Sequence, residues 1–147
     1  MKYNIGCGKD IREDMTNVDR RKWDGVDHVM DLRNWDLPDD SAEYILASQI
    51  LEHFSPGDDL FAIMHNIWKT LKKGGRLEAF VPDARTSVFT FLPDHQSYWT
   101  PIFVNALVDT NEYQSGDFEF TVELLEEQKD KVGISHNDDL HFILRKK

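Results

Sequence analysis

A chain of 147 residues with 40% hydrophobic and 30% charged side chains suits one domain with a real core, not a disordered or fibrous polymer. Its net charge of −10 argues against a protein built mainly to grip nucleic-acid phosphates, since that work needs a basic surplus. A single cysteine, Cys7, excludes an internal disulfide framework and suits a reducing compartment.

The chain opens directly into an apolar-polar stretch, Lys2 to Gly6, that reads as a first strand running into a G-x-G turn, Gly6-Cys7-Gly8. Glycines there let backbone approach a ligand, because they carry no Cβ and tolerate positive φ. A second strand follows at Met15 to Asp19 and ends in a carboxylate. The eight residues Lys9 to Thr16 reach about 26 Å when extended. That is enough to return along a strand of about 17 Å, but not with a helix in the link. The third strand, Val26 to Leu32, again carries an acid near its tip, and Arg20 to Gly25 is also too short for a helix. Arg33 to Ser41 is a turn-rich loop, and Glu43 to Ser48 a fourth strand.

The first helix is expected over Pro56 to Lys73. Ser55 would cap it, Pro56 would start it, and Asp58 and Asp59 would face its positive end. Leu60, Met64, Ile67, Trp68 and Leu71 share one buried face, and Gly74-Gly75 would stop the helix. Arg76 to Val81 is a fifth strand. Ala84 to Asn111 is aromatic-rich and hard to read, with a short helix expected at Pro101 to Val108. Alternation at Phe118 to Leu124 and Leu140 to Leu144 predicts two half-buried antiparallel strands around a charged loop, Glu126 to Asp138.

Five short motifs in this order resemble the class I S-adenosylmethionine-dependent methyltransferases, in their small-molecule group. They are Asn4-Ile5-Gly6-Cys7-Gly8, Asn17-Val18-Asp19, Val29-Met30-Asp31-Leu32, Ala47-Ser48-Gln49-Ile50-Leu51-Glu52-His53 and Leu71-Lys72-Lys73-Gly74-Gly75-Arg76-Leu77. The resemblance implies an α/β, Rossmann-like, mostly parallel seven-stranded sheet with an antiparallel C-terminal strand, here with a reduced helix complement. It implies S-adenosyl-L-methionine as cofactor. Gly6, Cys7 and Gly8 would lie at its methionine part, Asp19 at the ribose with Arg20 beside it, Asp31 and Leu32 at the adenine, and Ala47 and Ser48 near the transferring methyl. His53 is the candidate catalytic base, with Gln49 and Glu52 weaker candidates near the acceptor.

Three departures matter. Asp10 stands where a third glycine is often found. The helix after the first strand is missing, so Lys9 or turn amides would have to hold the cofactor carboxylate in its place. The other missing helices would leave apolar sheet uncovered, and a homodimer is the expected response. A small-molecule acceptor is expected. A nucleic-acid base is not, because no asparagine- or aspartate-proline-proline-aromatic run follows the fourth strand. A nicotinamide dehydrogenase is disfavoured by Ile11, which breaks G-x-G-x-x-G. The competing reading is a non-catalytic protein that binds the same cofactor. The six histidines, His28, His53, His65, His95, His136 and His141, show no metal-ligand spacing, so no metal is expected. With no apolar run near 18 residues, a soluble cytoplasmic protein without membrane attachment is the expectation.

Overall fold

The computed structural model describes residues 1–109, 118–128 and 138–147. Seven strands form one sheet: β1 Lys2–Ile5, β2 Thr16–Asp19, β3 His28–Val29, β4 Ala42–Ser48, β5 Leu71–Pro82, β6 Phe120–Gln128 and β7 Asp139–Lys146. Their order is β3-β2-β1-β4-β5-β7-β6. β1 to β5 pair in parallel, while β7 runs antiparallel to both neighbours. The Rossmann-like sheet with one reversed strand is as expected. β3 is much shorter than Val26 to Leu32, and Asp31, still extended, caps a 3-10 turn at Leu32–Asn34.

As expected, no helix follows β1. A crossover without a helix must satisfy its backbone polar groups by other means. Two buried asparagines do this. Asn4 Nδ2 donates to the Asp10 carbonyl at 2.7 Å and to Asn17 Oδ1 at 3.1 Å. Asn17 Oδ1 also accepts the Arg12 N–H, and its Nδ2 donates to the Arg12 and Met15 carbonyls. Asp10 thereby gains a role, holding the loop through its carbonyl while its side chain pairs with Arg12 in solvent. Asn17→Ala is expected to cost about 2–4 kcal/mol, because it leaves several buried partners unsatisfied at once. Urea unfolding checks this, and a loss below about 0.5 kcal/mol would remove the asparagines from that role.

Two helices, α1 Asp58–Thr70 and α2 Pro101–Asp109, pack on one sheet face. α1 is shorter than the expected Pro56 to Lys73 at both ends. Pro56 and Gly57 form a turn before it, and Gly57, not Ser55, is the capping residue. At the other end the Asp40 and Ser41 N–H groups bond the Lys69 and Thr70 carbonyls at 2.8 and 2.9 Å. Tertiary bonds therefore stop the helix before Gly74-Gly75. Lys72 to Gly75 instead form an irregularity in β5, between the Ala42–Leu71 and Tyr44–Arg76 pairs. The helix face of the sheet carries Tyr3, Ile5, Val18, Ile45, Leu77, Ala79, Phe142 and Leu144, all in the buried core. Trp99 is fully buried there, stacked on Phe142 and edge-on to Phe103 of α2.

Among the described residues no helix covers the opposite face, and that face mixes Leu46, Phe80 and Ile143 with polar side chains instead of being the apolar surface expected from the sequence. Strand register places Lys2, Asn4, Tyr44, Arg76, Glu78, His141 and Arg145 on it. Tyr44 donates to Glu78, His141 bridges Glu78 and Glu126, and Arg76 pairs with Glu123 at 2.7 Å. Cross-strand polar pairs take the place of missing helices. The stretch after β5 is tied down by buried Asp83, whose carboxylate accepts from the Arg85 backbone and side chain. Burial pushes the Asp83 carboxyl up, but the Arg85 bonds outweigh it and hold the group below the usual carboxylate range. β6 runs through Glu126 to Gln128, part of the expected charged loop, whose residues 129–137 lie outside the described residues, as do Thr110 and Asn111 of the aromatic-rich stretch. No helix among the described residues is long and apolar enough to cross a membrane.

Candidate active site

A cavity of about 740 Å³ lies beyond the C-terminal ends of β1 to β4, where open α/β sheets bind ligands. Each strand contributes the segment that follows it. From β1 come Gly6, Gly8 and Lys9; from β2, Asp19, Arg20, Arg21 and Trp23; from β3, Met30, Asp31, Leu32 and Arg33. Beyond β4 come Ile50, His53, Phe54 and Ser55, with Asp59 on α1, and Asp94 and Gln96 close the wall from far along the chain.

The glycine turn is shaped by two different demands. Gly6 and Gly8 both have positive φ, at 62° and 53°. At Gly6 a Cβ would also collide with the Ile50 side chain, so β1 and the β4 exit pack directly together. At Gly8 a Cβ would meet nothing within 4 Å. There the backbone is bare toward open space, as a ligand-facing turn requires.

Asp19 ends β2 with only 9% of its surface exposed. Its Oδ2 accepts the Gly8 N–H and its Oδ1 the Arg21 N–H, both at 2.8 Å. These bonds clamp two loops and fix the carboxylate. Each oxygen keeps a further lone pair, so the group can still accept two hydroxyls together. The Asp31 side chain accepts the Arg33 N–H at 2.9 Å, capping the 3-10 turn that presents Leu32.

Of the candidates read from the sequence, Gly6, Gly8, Asp19, Arg20, Asp31, Leu32 and His53 border this cavity, and Cys7, Ala47 and Ser48 do not. Cys7 is buried, and burial together with the Asp19 charge pushes its thiol up to about 11, which makes it a poor nucleophile. Ala47 is fully buried in the core, and Ser48 ends β4 half-buried. The sequence reading missed Arg21, Trp23, Arg33, Phe54, Asp59, Asp94 and Gln96. Spacing gave no signal for the last two, which join the wall only because the Glu52 carbonyl accepts the Gln96 and Ser97 N–H groups.

The cavity wall is charge-balanced although the chain is acidic, with Lys9, Arg20, Arg21 and Arg33 set against Asp19, Asp31, Asp59 and Asp94. Arg33 lies between Asp31 and Asp59 at 3.6 Å from each, and packs over the Phe54 ring. Lys9 lies over the Trp23 ring, 5.0 Å from its centroid, and has no ion pair among the described residues. On the far side His53 Nδ1 is 3.2 Å from the Asp94 carbonyl oxygen.

Strand order, the glycine turn and the strand-tip acid together define the class I S-adenosylmethionine-dependent methyltransferases. Residues 4–79, more than half of the chain, match the family described as "Methyltransferase domain", and the chain belongs to that family. S-adenosylmethionine is the cofactor of this class. No curated protein matches the chain by sequence. Among solved structures it is similar to an S-adenosylmethionine-dependent methyltransferase from Archaeoglobus fulgidus, at 18% identity and a TM-score of 0.67, over 99% of this chain and 85% of that one. It is also similar to the N-methyltransferase NodS from Bradyrhizobium japonicum, in complex with S-adenosylhomocysteine, at 12% identity and 0.69, over 99% and 76%. A third similar structure is the [4+2]-cyclase SpnF, at 13% identity and 0.70, over 99% and 73%. At these identities the likeness is one of fold.

Proposed function

We propose that this protein transfers a methyl group to a small-molecule acceptor, binding cofactor and acceptor side by side in the 740 Å³ cavity. The observation that carries this is the continuity of one cavity from Gly8 and Asp19 to His53, Asp94 and Gln96. Its volume suits small ligands, which occupy pockets of roughly 300–1,000 Å³. The residues fit the cofactor's chemistry. Asp19 would take the ribose hydroxyls, Gly8 lets backbone approach, and Lys9, with no ion pair of its own, would answer the carboxylate in place of the missing helix end. Leu32 and Met30 offer apolar surface near Asp31 for the adenine. The bound cofactor supplies a methyl group already activated on a sulfonium. The chain's own task is then to orient the acceptor and exclude water. His53, Asp94 and Gln96 stand where acceptor contacts are needed.

Binding of the cofactor without methyl transfer is the second reading, since this fold is not tied to methyl transfer alone, as the similar fold of a cyclase illustrates. Incubating the protein with methyl-labelled cofactor and a metabolite pool separates the two. Label in a small-molecule fraction is the expected result, and cofactor binding with no transfer to any fraction would favour the second reading. A cytoplasmic location is our reading, supported by the lone free cysteine. The open face, mixed in character, offers the expected homodimer Leu46, Phe80 and Ile143 among polar groups. Elsewhere Phe89, Phe91, Leu92, Tyr98 and Ile102, with Met1 and Val29, are the exposed large apolar groups among the described residues.

A further inference from the structure

Glu52 is only 1% exposed, yet neither of its carboxylate oxygens has a hydrogen-bond partner. A buried polar group left without partners is costly, and its presence calls for a physical reason. Two imidazoles stand beside it. The His53 and His95 rings meet edge-on, with centroids 4.8 Å apart. His95 Nδ1 is itself buried without a partner. One potential ligand atom from each of Glu52, His53 and His95 lies within 4.8 Å of the other two.

The backbone holds this group together. The Glu52 carbonyl accepts the Gln96 and Ser97 N–H groups at 2.8 and 3.1 Å, and Ser97 Oγ donates to the Leu51 carbonyl. Segments far apart in sequence, Leu51–Glu52 and Gln96–Ser97, are thereby pinned side by side. His53 also has an outer partner. The Asp94 carbonyl engages His53 Nδ1, which leaves the Nε2 lone pair available. The His95 Nδ1 stays unengaged. Metal-binding histidines are held in this manner, one nitrogen to a carbonyl and the other to the ion.

We propose that Glu52, His53 and His95 bind one divalent transition-metal ion of the zinc type. Two imidazoles and one carboxylate are a nitrogen-rich donor set that suits zinc, and three protein ligands leave a coordination position open. Magnesium and calcium prefer all-oxygen shells, which this group does not offer. Metal bonds of about 2.0–2.2 Å draw the three atoms closer than they stand. Neither Glu52 oxygen nor His95 Nδ1 has a hydrogen bond to break in moving. Metal binding itself is independent of the methyl-transfer reading. Resting on that reading, an ion at His53 stands at the cavity edge and orients an acceptor. His53 then acts as a ligand and not as a base.

The test is a zinc titration of the full chain after EDTA treatment, followed by cobalt(II) substitution. Expected are one equivalent of zinc bound, a raised melting temperature, and visible cobalt absorption of low-coordinate, imidazole-containing type. Glu52→Gln, which keeps the shape of the buried side chain, and His53→Gln, at a partly exposed position, should each weaken zinc binding at least tenfold with unchanged circular dichroism. The control His28→Gln, remote and paired with Asp36, should leave it intact. Absence of stoichiometric binding would overturn the site, and so would zinc affinity retained by both folded variants. Neither readout uses methyl transfer, so failure of the enzyme assay and failure of the site remain distinguishable.

Discussion

Asp19→Ala is expected to weaken S-adenosylhomocysteine binding by about 30- to 1000-fold, or about 2–4 kcal/mol. Two losses combine. The variant removes the carboxylate that would accept both ribose hydroxyls, and it releases the Gly8 and Arg21 amides that the carboxylate now holds. The first is a loss of charge-assisted bonds and the second a loss of preorganisation in the glycine turn. Asp19→Asn separates them. It keeps one acceptor oxygen for the loop but presents an amide nitrogen to the other side, so an intermediate loss is expected. Calorimetric titration with a thermal melt on each variant checks the result. An unchanged affinity in folded Asp19→Ala would take Asp19 out of the cofactor site.

Glu52 should make metal-free protein lose stability as the pH rises. Burial, reinforced by the charges of Asp139 and Asp94 and opposed only by its own backbone amide, pushes this carboxyl from its ordinary value up to about 8. The folded state therefore binds a proton that the unfolded chain has already released between about pH 4.5 and 8. Stability falls across that window, since the native state is then the more protonated one. At about 1.4 kcal/mol for each pH unit crossed, the whole window is on the order of 3–5 kcal/mol. In EDTA, wild-type protein should lose about that much between about pH 5 and pH 8.5, after subtraction of the Glu52→Gln profile. Parallel profiles for the two proteins would show that Glu52 is not held protonated. His53 and His95 face the same group, and the subtraction removes their own titration to first order.

The cost at Glu52 is informative about function. A polar side chain in that position would be replaced readily by an apolar one if packing were all that mattered. Instead the carboxyl sits where the end of β4 meets the segment closing the cavity, and perturbed titrations concentrate at working sites. Glu52 was visible in the sequence only as a weak acceptor-side candidate, because nothing in its local pattern marks it as buried. Its neighbours Leu51 and Phe54 are the apolar members of the turn, and a helix-like pattern there would have placed Glu52 in solvent.

Local pattern determined much of this protein. Alternation and strand-tip acids set β1, β2, β4, β5 and the order of motifs, and short links ruled out helices after β1 and β2 by reach alone. Gly6, Gly8 and Asp19 could be singled out because backbone freedom and a strand-end carboxylate are properties of single residues. Tertiary structure decided the rest, wherever a partner lay far along the chain. Asp40 and Ser41 stop α1 before its glycines do, and Asn4 and Asn17 replace a helix with side-chain bonds. The open sheet face gains its polar pairs because Arg76, Glu78, His141 and Arg145 meet only after β7 enters between β5 and β6. Asp94 and Gln96 reach the cavity wall on a segment held by bonds to the Glu52 carbonyl. Hydrogen bonds and burial between distant segments leave no period in a sequence, which is why Gly6-Cys7-Gly8 could be read from it and the Glu52–His53–His95 group could not.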